Sequence, residues 1–404
     1  MGRVQSFMML CLLGGAIGLA PPVAAGVDDG LEGLVRSVAR EDVRGRIESL
    51  SIANGLALVG ANREKLVIET ADLIQVDVLG ADDPRSLQQA VVELSGGDRI
   101  HGKLVDGSRD TIVIETGPLG RIQVPMEAVE RIRTARAFQP AFRSTADWFD
   151  RAATKSEDAV LLTNGDVVGG FVGEINQRGI VLETASGDVR IEYRLIVAVR
   201  FAQPTPRRGH DLALVITTVD ADRLTAVDFD LSSGRARGRL WFGASVDVPP
   251  DRLKKIEVVG GRWRWLAAIE PISHAQLSML ALDWPFRTDR NVLGGSLVVA
   301  GTRFDHGIGV HSRSVLIYDL KGRYKTFVTL MGIDDSSGPL ADVDVAIVID
   351  GQRRFERVHL KRGSLVGPVR IDVSQARSME LICDFGDHGD IQDRFNWIEP
   401  GLVR

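Results

Sequence analysis

Runs of four to six apolar residues, rich in Val and Ile and broken by Gly, Asn and Asp, recur along the chain. Such runs suit short antiparallel strands joined by tight turns, because β-branched side chains pack well on a pleated surface and the breakers supply turn geometry. From about Ile269 the runs read SLVVAG, SVLIYDL, KTFVTLMGI, VDVAIVIDG, VRIDVS and SMELICDFG, with hardly a helical period between them. Strands at these intervals predict an antiparallel β-sandwich, and Asp350-Gly351 predicts a hairpin turn within it. The whole chain is expected to be all-β.

The first half repeats itself. Leu94 to Ile132 and Leu162 to Val199 both open on a Gly-Asp turn (Gly97-Asp98, Gly165-Asp166) and both reach a third strand reading IVIET or IVLET. Asp98 and Asp166 lie 68 positions apart, as do Ile112 and Ile180. Leu66 to Leu79 repeats the third strand and Val246 to Val259 echoes IQVPMEAVERI, giving two weaker copies. The expected layout is a degenerate β unit at 26–85, β-barrel repeats at 86–136 and 160–203, a partly helical linker at 137–159 carrying Trp148 and Phe149, and a fourth unit at 204–262. Units this small cannot bury a good core alone. They are expected to pack in pairs or close into little barrels similar to SH3-like or Sm-like folds, serving as spacer or docking array. The Gly-Asp pairs are read as turn geometry rather than cation sites. Trp263 and Trp265, alternating at the last boundary, are expected to pack against the next domain.

Composition narrows the function classes. A chain of 404 residues with a formal net charge of -5 and no basic run interleaved with aromatics is a poor nucleic-acid binder. Arg3, the apolar run Phe7 to Ala20 and small residues up to Ala25 predict a signal peptide at 1–25, hence a secreted, periplasmic or cell-envelope protein. No later apolar run is long enough to cross a bilayer. Removing the signal leaves Cys383 as the only cysteine, so neither an internal disulfide nor a thiolate metal cluster is expected, and Cys383 is read as a buried small hydrophobe.

The C-terminal landmarks are a Gly307-Ile-Gly-Val-His311-Ser entry, a Tyr318-Asp-Leu strand end, a Gly332-Ile-Asp334-Asp335 loop, the Val348-Ile-Asp-Gly351 hairpin and a closing Asn396-Trp397. In this order and spacing they resemble the NPCBM family of carbohydrate-binding modules, over residues 269–404. The resemblance implies a galactose-binding-domain-like jelly-roll sandwich that binds a glycan, galactose-type sugars among them, without turnover. Where the family shows an acidic residue before its closing tryptophan, this chain has Asn396.

Sugar recognition needs an aromatic face under the ring and planar polar groups for the hydroxyls. The expected ligand set is His311, Asp334, Asp335, Arg394 and Trp397, with Trp284 as stacking platform. For Trp397 a core position is the competing reading. His311 is expected as a hydrogen-bonded imidazole that organises its loop, with direct sugar contact second. No Gly-x-Ser-x-Gly elbow or His-Glu-x-x-His helix supports catalysis. The acidic loop near the C-terminus offers Asp387, Asp390, Asp393 and Glu399 as oxygen ligands, for which a structural calcium is the expected cation. The partners expected are a glycan or polysaccharide, with envelope proteins as the alternative.

Overall fold

Period-two burial runs through the strands: Ile112 and Ile114 of TIVIE and Ile122 and Val124 of RIQVP face inward while their neighbours face out. The computed structural model describes residues 31–38, 42–80, 90–139, 142, 156–202, 204, 205, 209, 212–279 and 282–404. The expected signal peptide and the segment with Trp148 and Phe149 lie outside them. Among the described residues the protein is all-β, with only short 3-10 turns besides strand. Among the same residues no helix is long and apolar enough to cross a membrane.

Twenty strands form four sets of five. The first is β1 to β5 (Leu31–Ser37, Val43–Ser51, Gly55–Gly60, Lys65–Ile68, Leu73–Val78) and the second β6 to β10 (Ala90–Leu94, Arg99–Gly107, Thr111–Glu115, Arg121–Pro125, Val129–Arg133). The third is β11 to β15 (Asp158–Leu162, Val167–Asn176, Gly179–Thr184, Gly187–Glu192, Ile196–Arg200) and the fourth β16 to β20 (Ala213–Thr218, Arg223–Ser232, Arg235–Leu240, Ser245–Val248, Leu253–Val259). In every set the first strand pairs with the second and the fifth, and the second to fourth form a meander. A 3-10 turn leads into each fifth strand. Each second strand carries a register shift at the equivalent place, and such bulges bend a strand so that it can serve two sheet faces. The first set has all five strands. Its sequence reads as degenerate because it lacks the Gly-Asp turn, not because strands are missing.

The sets pair in a nested order. The second and third join through β10–β15 and β7–β12, the first and fourth through β5–β20 and β2–β17, always fifth to fifth and second to second. A reciprocal clasp links the second set to the fourth. Buried Asp98 accepts from Thr225 N and Oγ1 (2.8 and 2.7 Å) and from Trp241 Nε1 (2.9 Å). Its counterpart Asp222 accepts from His101 N at 2.7 Å. One apolar core runs from Val35 to Val258 through all four sets.

The last third is a two-sheet sandwich. Its strands are β21 (Trp263–Trp265), β22 (Ser273–Gln276), β23 (Arg287–Thr288), β24 (Leu297–Val299), β25 (Thr302–Phe304), β26 (Gly307–His311), β27 (Ser314–Asp319), β28 (Thr326–Ile333), β29 (Asp342–Ile349), β30 (Gln352–Lys361), β31 (Val366–Asp372), β32 (Ser378–Phe385) and β33 (Arg394–Val403). One sheet runs β23-β26-β33-β28-β31, with β21 also on β33; the other runs β22-β27-β32-β29-β30. Phe327, Met331, Phe395 and Trp397 of the first meet Leu316, Tyr318, Val345, Leu381 and Cys383 of the second. Burial at Cys383 drives its thiol well above the ordinary range. The sandwich begins ahead of Ile269, since Trp263 to Trp265 pair with Val403 to Gly401.

That early strand seals the junction to the repeats. Trp263 packs with Ile74, Val328 and Val403, and Trp265 stacks on His306 at 4.2 Å. Arg36 reaches Glu399 at 2.6 Å, Lys255 reaches Asp305 at 2.8 Å, and His306 Nε2 meets Glu257 Oε1 at 2.6 Å. Burial alone would lower the His306 pKa, but Asp289 and Glu257 hold it up at about 9. Burial would raise Glu257, but His306, Lys255 and Arg223 pull it down to about 2.

Candidate functional site

The Gly307–His311 strand explains its own glycines. A Cβ on Gly309 would sit 2.5 Å from the Arg290 carbonyl oxygen, so β26 can press against the Arg290–Asn291 backbone only where a side chain is missing. That contact delivers His311 to the strand end, across from Arg394 in the register of β33. His311 is buried, and its Nδ1–H donates to the Ser312 carbonyl at 2.9 Å. This leaves Nε2 as an acceptor. Burial lowers the His311 pKa, with Arg394 acting the same way and Asp390 opposing it, so the ring is neutral near pH 7.

Trp284 lies parallel to that imidazole, with centroids 4.6 Å apart and planes 8° from each other. The indole is half-buried, so its orientation is fixed from one side. Asp390 closes the neighbouring loop by accepting from Ser278 Oγ (3.0 Å) and Met279 N (2.8 Å). His274 and Gln276 share one face of β22; His274 meets Ser314 Oγ at 3.1 Å and Phe286 edge-on at 5.1 Å, and Gln276 Nε2 is a buried donor without a partner. The result is a ledge with an aromatic plate, a neutral imidazole and a set of hydrogen-bonding groups. Sequence reading missed His274 and Gln276; the period-two spacing in SHAQ was the available signal.

The rest of the expected ligand set is placed differently. Asp334 is 1% exposed and accepts from Asn291, Val298 N, Ser336 N and Asn396, the last at 2.7 Å. It organises loops from within and presents no surface to a ligand. Asn396 fits beside it because an amide donates where a second carboxylate would repel. Asp335 accepts from Ala300 N and Gly301 N at 3.1 and 2.7 Å and so caps the β24–β25 turn. Arg394 turns its Nη1 to the Ser336 carbonyl. Trp397 is 0% exposed, set edge-on to Phe395 in the sandwich core. It is therefore a core residue, and the ligand role read for it is corrected: no face is open to stack on.

The four expected cation ligands do not act as one set either. Glu399 is drawn to Arg36 at the junction. Asp393, fully buried, accepts from Ser312 Oγ at 2.6 Å and Asp342 N at 3.1 Å, and burial lifts its pKa to about 6. Asp390 serves the Ser278–Met279 turn, and only Asp387 approaches a metal-ligand type, lying 3.6 Å from His359 Nδ1.

Residues 265–403 match the family model of the NPCBM/NEW2 domain. The C-terminal third therefore carries an NPCBM/NEW2 domain. Among solved structures, the chain is similar to the CBM51 of GH95 from Clostridium perfringens in complex with methyl-galactose, at 19% identity over 35% of this chain and 99% of that one, with a TM-score of 0.32. It is also similar to the tandem CBM51 modules of the family 98 glycoside hydrolase of Streptococcus pneumoniae SP3-BS71, at 15% identity over 64% of this chain and 90% of that one, TM-score 0.32. A comparison with curated proteins returns no match. Within the NPCBM domain, the entry strand and its histidine are what hold the Trp284 plate in position.

Proposed function

We propose that the protein is an exported, non-catalytic glycan-binding protein whose NPCBM domain captures a sugar, galactose-type as the family resemblance implies, on the Trp284–His311 ledge. The observation that carries this reading is the half-buried indole locked parallel to a neutral imidazole. A pre-oriented aromatic face binds the apolar side of a pyranose at little entropic cost. In this reading the four five-stranded sets are SH3-like barrels that serve as a docking base. Their nested pairing returns the chain to its starting side, so they would set the module on a compact block rather than at the end of an extended arm.

A glycan array probed with the full chain tests the proposal. Selective retention of one sugar class, with no release of product from a matching aryl-glycoside panel, is the expected result. An array without signal, together with proteins that co-purify on the repeats, would replace it by the docking-protein reading.

A further inference from the structure

A bulge in the β29–β30 pair aims one histidine at two carboxylates. Val343 pairs with Leu360 and Val345 with Arg357, so Val358 and His359 together face Asp344. His359 adopts a φ of 52° there and donates its backbone N–H to Asp344 Oδ1 at 2.8 Å. Its Nδ1 lies 3.4 Å from Asp342 Oδ2 and 3.6 Å from Asp387 Oδ2. One ligand atom each from Asp342, Asp344 and His359 fall within 4.8 Å of one another.

Asp342 supplies the independent observation. It is 1% exposed, and its Oδ1 is buried without a hydrogen-bond partner. An unpaired oxygen on a buried carboxylate is costly and calls for a cation or a donor. A Cβ on Gly386 would lie 2.6 Å from that oxygen, so the space beside it exists because residue 386 has no side chain. Among the described residues none of Asp342, Asp344 and Asp387 forms an ion pair with Lys or Arg, which leaves three carboxylates against one imidazole.

We propose that Asp342, Asp344 and His359, with Asp387 at the rim, form a binding site for a first-row divalent cation of the Zn²⁺ class. The imidazole decides against calcium, which takes an all-oxygen shell, and in favour of a borderline metal. Binding uses the His359 Nδ1 lone pair, so a proton carried on that nitrogen leaves to solvent as the cation enters. The site stands independently of the glycan reading.

The test is calorimetric titration of the EDTA-stripped, dialysed full chain with ZnCl2, MnCl2 and CaCl2. One saturable Zn²⁺ site per chain is expected, weakened at least about tenfold in His359→Ala and in Asp344→Asn and unchanged in His388→Ala. His359 is exposed, so His359→Ala should melt like the parent in EDTA, which separates lost ligation from lost fold. Absence of a saturable Zn²⁺ site, equal affinity in His359→Ala, or a site that takes Ca²⁺ alone would overturn the proposal.

Discussion

The repeats and the NPCBM domain both bury aspartates, and they use them differently. In the repeats Asp98 and Asp222 reach across to another five-stranded set, each accepting the backbone N–H three residues past the other's position. In the NPCBM domain Asp334 and Asp393 stay within their own sandwich, where they fix loops and the end of the entry strand. A buried carboxylate is thus an assembly device in one region and a loop organiser in the other. Neither role can be read from the residue alone. Asp166, the repeat twin of Asp98, is exposed, and its carboxylate accepts from neighbouring Asn164 rather than from another set.

Breaking the core of one region should hurt most. Trp397→Ala removes a fully buried indole and should cost roughly 3–5 kcal/mol by denaturant unfolding, felt in the sandwich alone. Next comes Asp98→Ala, which strands the Trp241 indole N–H and the Thr225 donors; a loss of about 3 kcal/mol in the repeats is expected. The reciprocal geometry predicts that adding Asp222→Ala costs less than the sum, because both changes open one interface.

The junction should show a pH signature of intermediate size. His306 titrates near 9 when folded against 6.5 when free, so its contribution is complete below pH 6.5 and disappears as pH rises through 9. Glu257, held near 2 against 4.5, contributes fully above pH 4.5 and loses it as pH falls through 2. Melting should therefore be highest between about pH 4.5 and 6.5 and fall on the alkaline side, by roughly 2 kcal/mol. Glu257→Gln should flatten that alkaline slope. At the small end, Asp166→Asn should change stability by no more than about 0.5 kcal/mol, and a larger loss would mean that the third set has an acidic clasp of its own.

How much of this was legible depends on range. Alternation and turn residues are local, so the strands, the repeat and the sandwich could be read directly from runs such as IVIET and VDVAIVIDG. The Asp98–Trp241 bond spans 143 residues and Arg36–Glu399 spans 363, and no pattern within one segment announces such partners. For the same reason Glu399 looked like a cation ligand beside its acidic neighbours, when its charge belongs to the junction. Trp284 and His311 could be singled out as candidates, an aromatic among charged residues and a histidine that follows two glycines. Their parallel stacking depended on the close approach at Gly309, which sequence alone does not place.

The proposed glycan capture depends on the Trp284 plate. Calorimetric titration of the full chain and of Trp284→Ala with the best-retained array sugar tests it directly. Binding that drops at least about tenfold in the variant, at an unchanged melting temperature, is the predicted outcome. Equal affinity in the two proteins would show that the sugar sits elsewhere and that the ledge is only part of the fold.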